Sequence, residues 1–384
     1  MRLGVNIGYV TGSADEHVQL AVEAERLGYV VAWAAEAYGS DAPTLLSYIA
    51  AKTERIDIGS AIMQIPARTP AMTAMTAATL DLLSHGRFRL GLGVSGPQVS
   101  EGWHGVRFDK PLARTREYVE VVRMALARQP VTYDGEHLTL PLPDGPGKAL
   151  KLMIRPERER LPVYLAAVGP KNLELTGEIA DGWLAIFFAP EHAAVSLDPL
   201  RAGLERAGRD VSAVDISATV PVVVGDDVDA CAEPLRGYTA LYVGGMGSRK
   251  QNFYNALARR MGFEEAAQEI QDRYLDKQHR EAMAAVPFEL VDRTSLIGPP
   301  ARSTSAPPSR WSSATTSTPA PSRCAATPRS TSVGWAAASR TSTTRWRGGW
   351  ASRRRPSRSR TATSTSSTAR QWRRCRSSWW TALA

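Results

Sequence analysis

The chain is poor in cysteine, lacks long apolar runs and, in its final stretch, lacks nearly every residue type that builds a core. Three cysteines in 384 residues exclude a disulfide framework and suit a reducing cytoplasm. No apolar run reaches about eighteen residues, so no transmembrane helix is expected. Met1-Arg2-Leu3 leads into an alternating stretch rather than a secretory leader. Residues 302–384 contain no Lys, Asp, Glu, Ile, Phe, Tyr, Asn, His or Met. They do hold 16 Arg, 33 Ser or Thr, and seven of the ten Trp. Such a composition cannot bury enough aliphatic surface to pack, so the tail, residues 301–384, is expected to be disordered.

The missing acid in the tail also changes how the net charge reads. A formal charge of +9 would ordinarily point to nucleic acid. The tail alone carries +16, while residues 1–301 hold 31 Lys+Arg against 38 Asp+Glu, a net of −7. The chain is a mildly acidic body joined to a basic arm. Nucleic-acid binding is therefore expected only non-specifically, through Arg and Trp of the tail.

The tail has a second reading. Taking the third base of each codon with the first two of the next, residues 302–384 can spell residues 214–295 again, at a constant offset of 88. Gly334-Trp335, Gly349-Trp350 and Gln371-Trp372 can each contain ATG, and they align with Met246, Met261 and Met283. Those are the only three Met in that window. Of 82 neighbouring pairs, 81 can be satisfied by one codon choice; Ser357, set against Gln268 and Glu269, cannot. The tail is thus expected to be an out-of-frame repeat of the body, displacing whatever normally follows Pro300.

The body alternates strand and helix patterns. Strands are expected at residues 3–8, 30–34, 57–62, 88–93, 163–167, 183–187 and 215–224. Helices are expected between them, the first opened by a capping box at Ser13 and Glu16. Turn signals at Tyr133-Asp134-Gly135 and Pro143-Asp144-Gly145 mark an insertion at about residues 130–160. Residues 228–286 read mainly as helix. Seven such units in order predict a (β/α)8 TIM barrel spanning residues 1–300. The eighth unit should follow Pro300, where the tail begins. It is expected to be missing, leaving strands one and seven with unpaired edges.

In a barrel the chemistry sits at the C-terminal ends of the strands. Glu36, Gln64, Ser95 and Gln98 follow strands two, three and four. His104, beside Trp103, is a candidate proton donor and equally a structural histidine. Gly91-Leu-Gly93-Val-Ser-Gly96 matches a dinucleotide fingerprint. It stands fourth in the chain and is followed by Pro97, so it reads better as a loop letting a planar ring approach the backbone. Gly169-Pro170 can open a helix whose free N–H groups attract phosphate, or can be an ordinary turn. Arg249 and Lys250 are candidates for an anionic tail or a solvated helix end. Cys231 reads as a helix residue, and no metal-ligand spacing appears.

Several stretches together resemble the luciferase-like monooxygenase superfamily, in its coenzyme F420-dependent oxidoreductase branch. They are Trp33-Ala-Ala-Glu36-Ala-Tyr-Gly-Ser-Asp41, Ile58-Gly-Ser-Ala61-Ile62, Gly86-Arg-Phe-Arg-Leu-Gly-Leu-Gly93-Val-Ser-Gly96, Lys110-Pro-Leu-Ala-Arg114-Thr-Arg116-Glu117, and Ala166-Ala-Val-Gly169-Pro170 with Ala180-Asp-Gly-Trp183. The resemblance implies a deazaflavin, coenzyme F420, resting near Ala61-Ile62, often beside a non-prolyl cis peptide, with Gln64 alongside. It places Glu36, Ser95, Gly96, Gln98, Gly169 and Pro170 around that cofactor, and Glu36 or His104 as proton donor. Ala37 stands where sugar-phosphate dehydrogenases of the family carry a catalytic His, which argues against that substrate class. The activity implied is hydride transfer to or from an organic small molecule, with FMN-dependent monooxygenation as the alternative. A homodimer is a candidate assembly.

Overall fold

The computed structural model describes residues 2–10 and 12–300, together with the backbone of residues 330–336. Disorder and nucleic-acid binding by the rest of the tail fall outside the described residues.

The chain alternates strand and helix as its periodicity requires. Strand β1 (Arg2–Gly8) leads to α1 (Ala14–Arg26), β2 (Val31–Ala34), α2 (Ala42–Ala50) and β3 (Asp57–Ser60). A two-residue β4 (Met63–Gln64), α3 (Pro70–Leu83) and β5 (Phe88–Gly93) follow. Next come the short α4 (Pro97–Gly102), α5 (Pro111–Leu126), and the antiparallel pair β6 (Tyr133–Asp134) and β7 (Thr139–Leu140). The second half contains β8 (Val163–Ala166), α6 (Pro170–Ile179), β9 (Gly182–Ile186), α7 (Ala194–Arg206) and β10 (Asp215–Val224). A helical layer then forms from α8 (Val228–Ala240), a π-helical turn (Leu241–Gly245), α9 (Phe253–Arg260), α10 (Glu264–Leu275), α11 (His279–Ala284) and α12 (Phe288–Thr294). Strand β11 (Leu296–Gly298) closes the body. No helix among the described residues is long and apolar enough to cross a membrane.

Local chemistry explains some of the boundaries. Asp41 accepts the Thr44 N–H at 2.9 Å and Thr69 the Met72 N–H at 3.2 Å, each capping a helix with proline in its first turn. Ser13 precedes α1 with extended backbone, but its side chain makes no capping bond, so the expected capping box does not form. Instead the Ser13 carbonyl faces the His17 ring Nδ1 at 2.9 Å.

The parallel sheet runs β1-β2-β3-β5-β8-β9-β10, with α1, α2, α3 and α5 packed over its first half. Its inner face is filled by Val31, Trp33, Tyr164 and Leu184. At the N-terminal end Arg89 plugs the interior, bonding Asp57 at 2.6 and 2.8 Å and the Tyr164 hydroxyl at 3.0 Å. A buried cation requires such partners, since a desolvated charge left unpaired is costly.

One expectation is corrected here. Strand β12 (Ser330–Ala336), from within the tail, pairs in parallel with β1 on one side and β10 on the other. The eighth strand position is therefore filled, and the sheet curls back upon β1. The physical reason is the demand of two facing parallel edges for backbone partners. A helix following this strand would lie outside the described residues.

Candidate active site

Parallel strands bring their C-terminal ends to one face, and the sequence places its polar residues there. Glu36, buried just past β2, is the hub. One carboxylate oxygen accepts the Gln64 N–H at 3.2 Å and an Arg68 N–H at 2.5 Å. The other accepts the Ala42 N–H at 3.2 Å and a second Arg68 N–H at 2.9 Å. Arg68 also bonds Asp41, the cap of α2. A proton on either Glu36 oxygen would displace one of these donors. The geometry thus suits Glu36 to holding the β2, β4 and α2 ends together. Arg68 was not foreseen; its signal would have been a lone cation just past strand three.

Gln64 belongs to the same assembly. Its Nε2 donates to the Ala37 carbonyl at 2.6 Å, while its buried Oε1 has no partner among the described residues. The Ala61–Ile62 peptide is cis, where the resemblance places one. Ala61, Ile62 and Ala166 pack together on the inner cluster around Trp33, joining the third and fifth units of the barrel.

The glycines of β5 serve packing. A Cβ at Gly91 would lie 1.9 Å from the Ser60 carbonyl oxygen, and one at Gly93 would lie 2.5 Å from the Ile62 side chain. Ser60 Oγ also donates to the Gly91 carbonyl at 2.8 Å. The GxG spacing therefore lets β5 approach the β3–β4 junction. A short helix does open after Gly96, where loop was expected, because Pro97 suits a first turn; it spans six residues. Ser95 adopts a left-handed φ of 59°, uncommon without glycine. The exposed Gln98 places its Oε1 3.3 Å from where a Gly96 Cβ would stand. His104 is half-buried, with its Nε2 enclosed and without a partner among the described residues. No hydrogen bond joins it to Glu36.

The fifth unit offers a cation that motif reading overlooked. Gly169 precedes α6 with Pro170 in the first turn, and the Gly169 carbonyl accepts from Asn172 and Leu173 at 3.0 Å. Above it, Arg260 of α9 donates to the Val168 carbonyl at 3.1 Å. Among the described residues Arg260 forms no ion pair, its Nε lacks a partner, and burial lowers its pKa. An unneutralised, half-buried guanidinium at a helix N-terminus attracts an anion. Arg249, by contrast, is occupied by Asp272 and Asp276 at the surface.

An aromatic wall faces these groups. Tyr9 follows β1, Tyr38 follows β2 and Phe187 follows β9, while Tyr238, Tyr242 and Tyr254 come from the helical layer. Phe187 lies 5.4, 5.5 and 6.1 Å, centroid to centroid, from Tyr238, Tyr242 and Tyr254. Desolvation raises the pKa of the half-buried Tyr9, Tyr238, Tyr242 and Tyr254, with Tyr254 pushed up to about 12. Tyr9 lies near enough to Tyr242, Tyr38 and Glu36 for their charges to add to that rise.

Comparison with known proteins places this geometry. Residues 1–304 match the family model of luciferase-like monooxygenases. The protein named "Putative coenzyme F420-dependent oxidoreductase Rv3520c" of Mycobacterium tuberculosis is 44% identical over 306 residues, covering 78% of this chain and 88% of its own. The 5,10-methylenetetrahydromethanopterin reductase of Archaeoglobus fulgidus is 32% identical over 223 residues, covering 58% and 64%. Among solved structures, the coenzyme F420-dependent tetrahydromethanopterin reductase of Methanopyrus kandleri superposes with a TM-score of 0.71 at 23% identity, covering 87% and 92%. That likeness extends the fold assignment to the curled α/β barrel.

Proposed function

This chain belongs to the luciferase-like monooxygenase family, and we propose that it is a coenzyme F420-dependent oxidoreductase acting on an organic small molecule. Residues 1–300 form the working body, and the tail beyond β12 has no assigned part. The observation that carries the reading is a pair of polar groups past the strand ends that lack partners among the described residues: the buried Gln64 Oε1 and the unneutralised Arg260. A deazaflavin presents a flat ring with N–H and C=O edges and an acidic phosphate-bearing tail, so the residues present fit it.

When bound, the coenzyme supplies or accepts a hydride. The chain does the rest. Ala61 and Ile62 offer an apolar platform for the ring, and Gln64 accepts a hydrogen bond from its edge. Glu36 positions Gln64 through its backbone N–H. Ser95, Gly96 and Gln98 border the ring from the fourth unit. Gly169 and Pro170 open α6 toward the phosphate, and Arg260 neutralises it. His104 is the candidate to hold or deliver a proton at its free Nε2.

Titration of the full chain with F420, followed by fluorescence, tests the reading. Micromolar binding is expected, and Arg260→Ala should weaken it about ten- to a hundredfold, the worth of a charge-assisted contact. Tight FMN binding without measurable F420 affinity would replace this proposal with the monooxygenase alternative.

A further inference from the structure

We propose that the aromatic wall of Tyr9, Phe187, Tyr238, Tyr242 and Tyr254 is the substrate-facing side of the site, and that it selects a flat, largely apolar carbonyl compound. The inference rests on the cofactor reading for the opposite side, but its evidence is separate.

Three observations carry it. The first is geometric: Tyr238 and Tyr242 stand 4.7 Å apart, Tyr242 and Tyr254 stand 4.9 Å apart at 89°, and Phe187 touches all three. Rings in offset and edge-on contact form a surface that another flat ring can extend. Phe187 is fixed into it with a left-handed φ of 51°, a conformation a bulky residue seldom adopts. Behind the wall Leu257, Met261 and Leu290 are buried, so it is backed by packing.

The second concerns the hydroxyls. The Tyr238 hydroxyl donates to that of Tyr242. Tyr9 and Tyr254 have no hydrogen-bond partner among the described residues, yet neither oxygen is among the fully enclosed orphan atoms. Both phenols are protonated at neutral pH, so they are donors. A donor lacking a partner in an apolar wall is matched by an accepting oxygen on the ligand.

The third is charge. None of the five side chains is ionic, and Arg260, the cation near α6, is assigned to the cofactor's own anion. An anionic substrate would find no partner on the wall.

The test uses the full chain and four probes: 1-tetralone, its carbonyl-free counterpart tetralin, cyclohexanone, and glucose 6-phosphate. Calorimetry should show 1-tetralone binding at least about tenfold more tightly than cyclohexanone, with glucose 6-phosphate not competing. Tyr9→Phe or Tyr254→Phe should shrink the preference for 1-tetralone over tetralin about two- to tenfold, the worth of one neutral hydrogen bond. That ratio would not move if the hydroxyls were merely structural. Equal binding of 1-tetralone and cyclohexanone, or an unchanged ratio in both variants, overturns the proposal. A parallel F420 titration separates the two readings. Cofactor binding without ring discrimination overturns the wall alone. Discrimination without cofactor binding supports the wall and overturns the cofactor assignment.

Discussion

Glu36 was expected to touch the cofactor or move a proton, and its surroundings make it a junction of several elements. Both oxygens accept two hydrogen bonds, and both Arg68 nitrogens are engaged. Breaking a buried ion pair from one side leaves a desolvated charge behind, which costs about 3–5 kcal/mol when nothing else compensates. Arg68 keeps Asp41, so Glu36→Gln should cost roughly 2–3 kcal/mol, measurable by urea unfolding. Gln64 would also lose its tether, and F420 affinity should fall with it. Full stability and affinity in that variant would remove Glu36 from the positioning role. Gly91 teaches a related lesson. Its spacing suggests a ligand loop, yet the neighbour that forbids a side chain there is the Ser60 carbonyl. The sequence shows that a glycine is needed without showing against what.

Elements are held to one another by carboxylates on helices. Glu117 of α5 accepts the N–H groups of Glu136, His137 and Leu138, which fastens the β6–β7 hairpin to the barrel. Glu25, near the end of α1, accepts those of Glu54, Arg55 and Ile56 at 2.9, 2.7 and 2.9 Å, fixing the approach to β3. Desolvation would raise the Glu25 carboxyl, but the three backbone donors outweigh it and its pKa is lowered. A depressed folded-state pKa gives stability that is present above the unfolded value, about 4.3, and lost as pH falls through the folded one. Glu25→Gln should therefore lower the melting temperature at pH 7 and matter progressively less toward pH 3. A difference from wild type that stays constant across that range would contradict the assignment. Neither role was visible beforehand, because a helix pattern marks which face is polar and not which loop that face meets.

At the scale of the whole molecule, the tail changes most between sequence and structure. Composition argued against any packed role for it, and the barrel was expected to stay open at strands one and seven. Backbone pairing of β12 with β1 and β10 fills that gap. A chain ending at Pro300 would lose those ladders and should melt lower than the full chain, by about 2–4 °C per kcal/mol lost. Equal melting temperatures would mean the strand adds nothing. We propose that the tail nevertheless derives from an out-of-frame repeat of residues 214–295; coding DNA that does not repeat at that offset would refute it.

Much was legible in the chain. Alternating periods of two and 3.6 predicted the order of strands and helices, because each element must present one apolar face. Strand order then pointed to one face of the sheet, and the resemblance proposed Glu36, Gln64 and Gly169 as site residues. What the chain could not show were the meetings between distant residues. Arg68 reaches Glu36 across 32 positions, and Arg260 reaches Val168 across 92. The aromatic wall gathers residues from position 9 to position 254. Local pattern decides which elements form, since hydrogen bonds and side-chain periodicity act within a few residues. Closure of the sheet decides which side chains face each other at its mouth, and that depends on packing the whole chain satisfies at once.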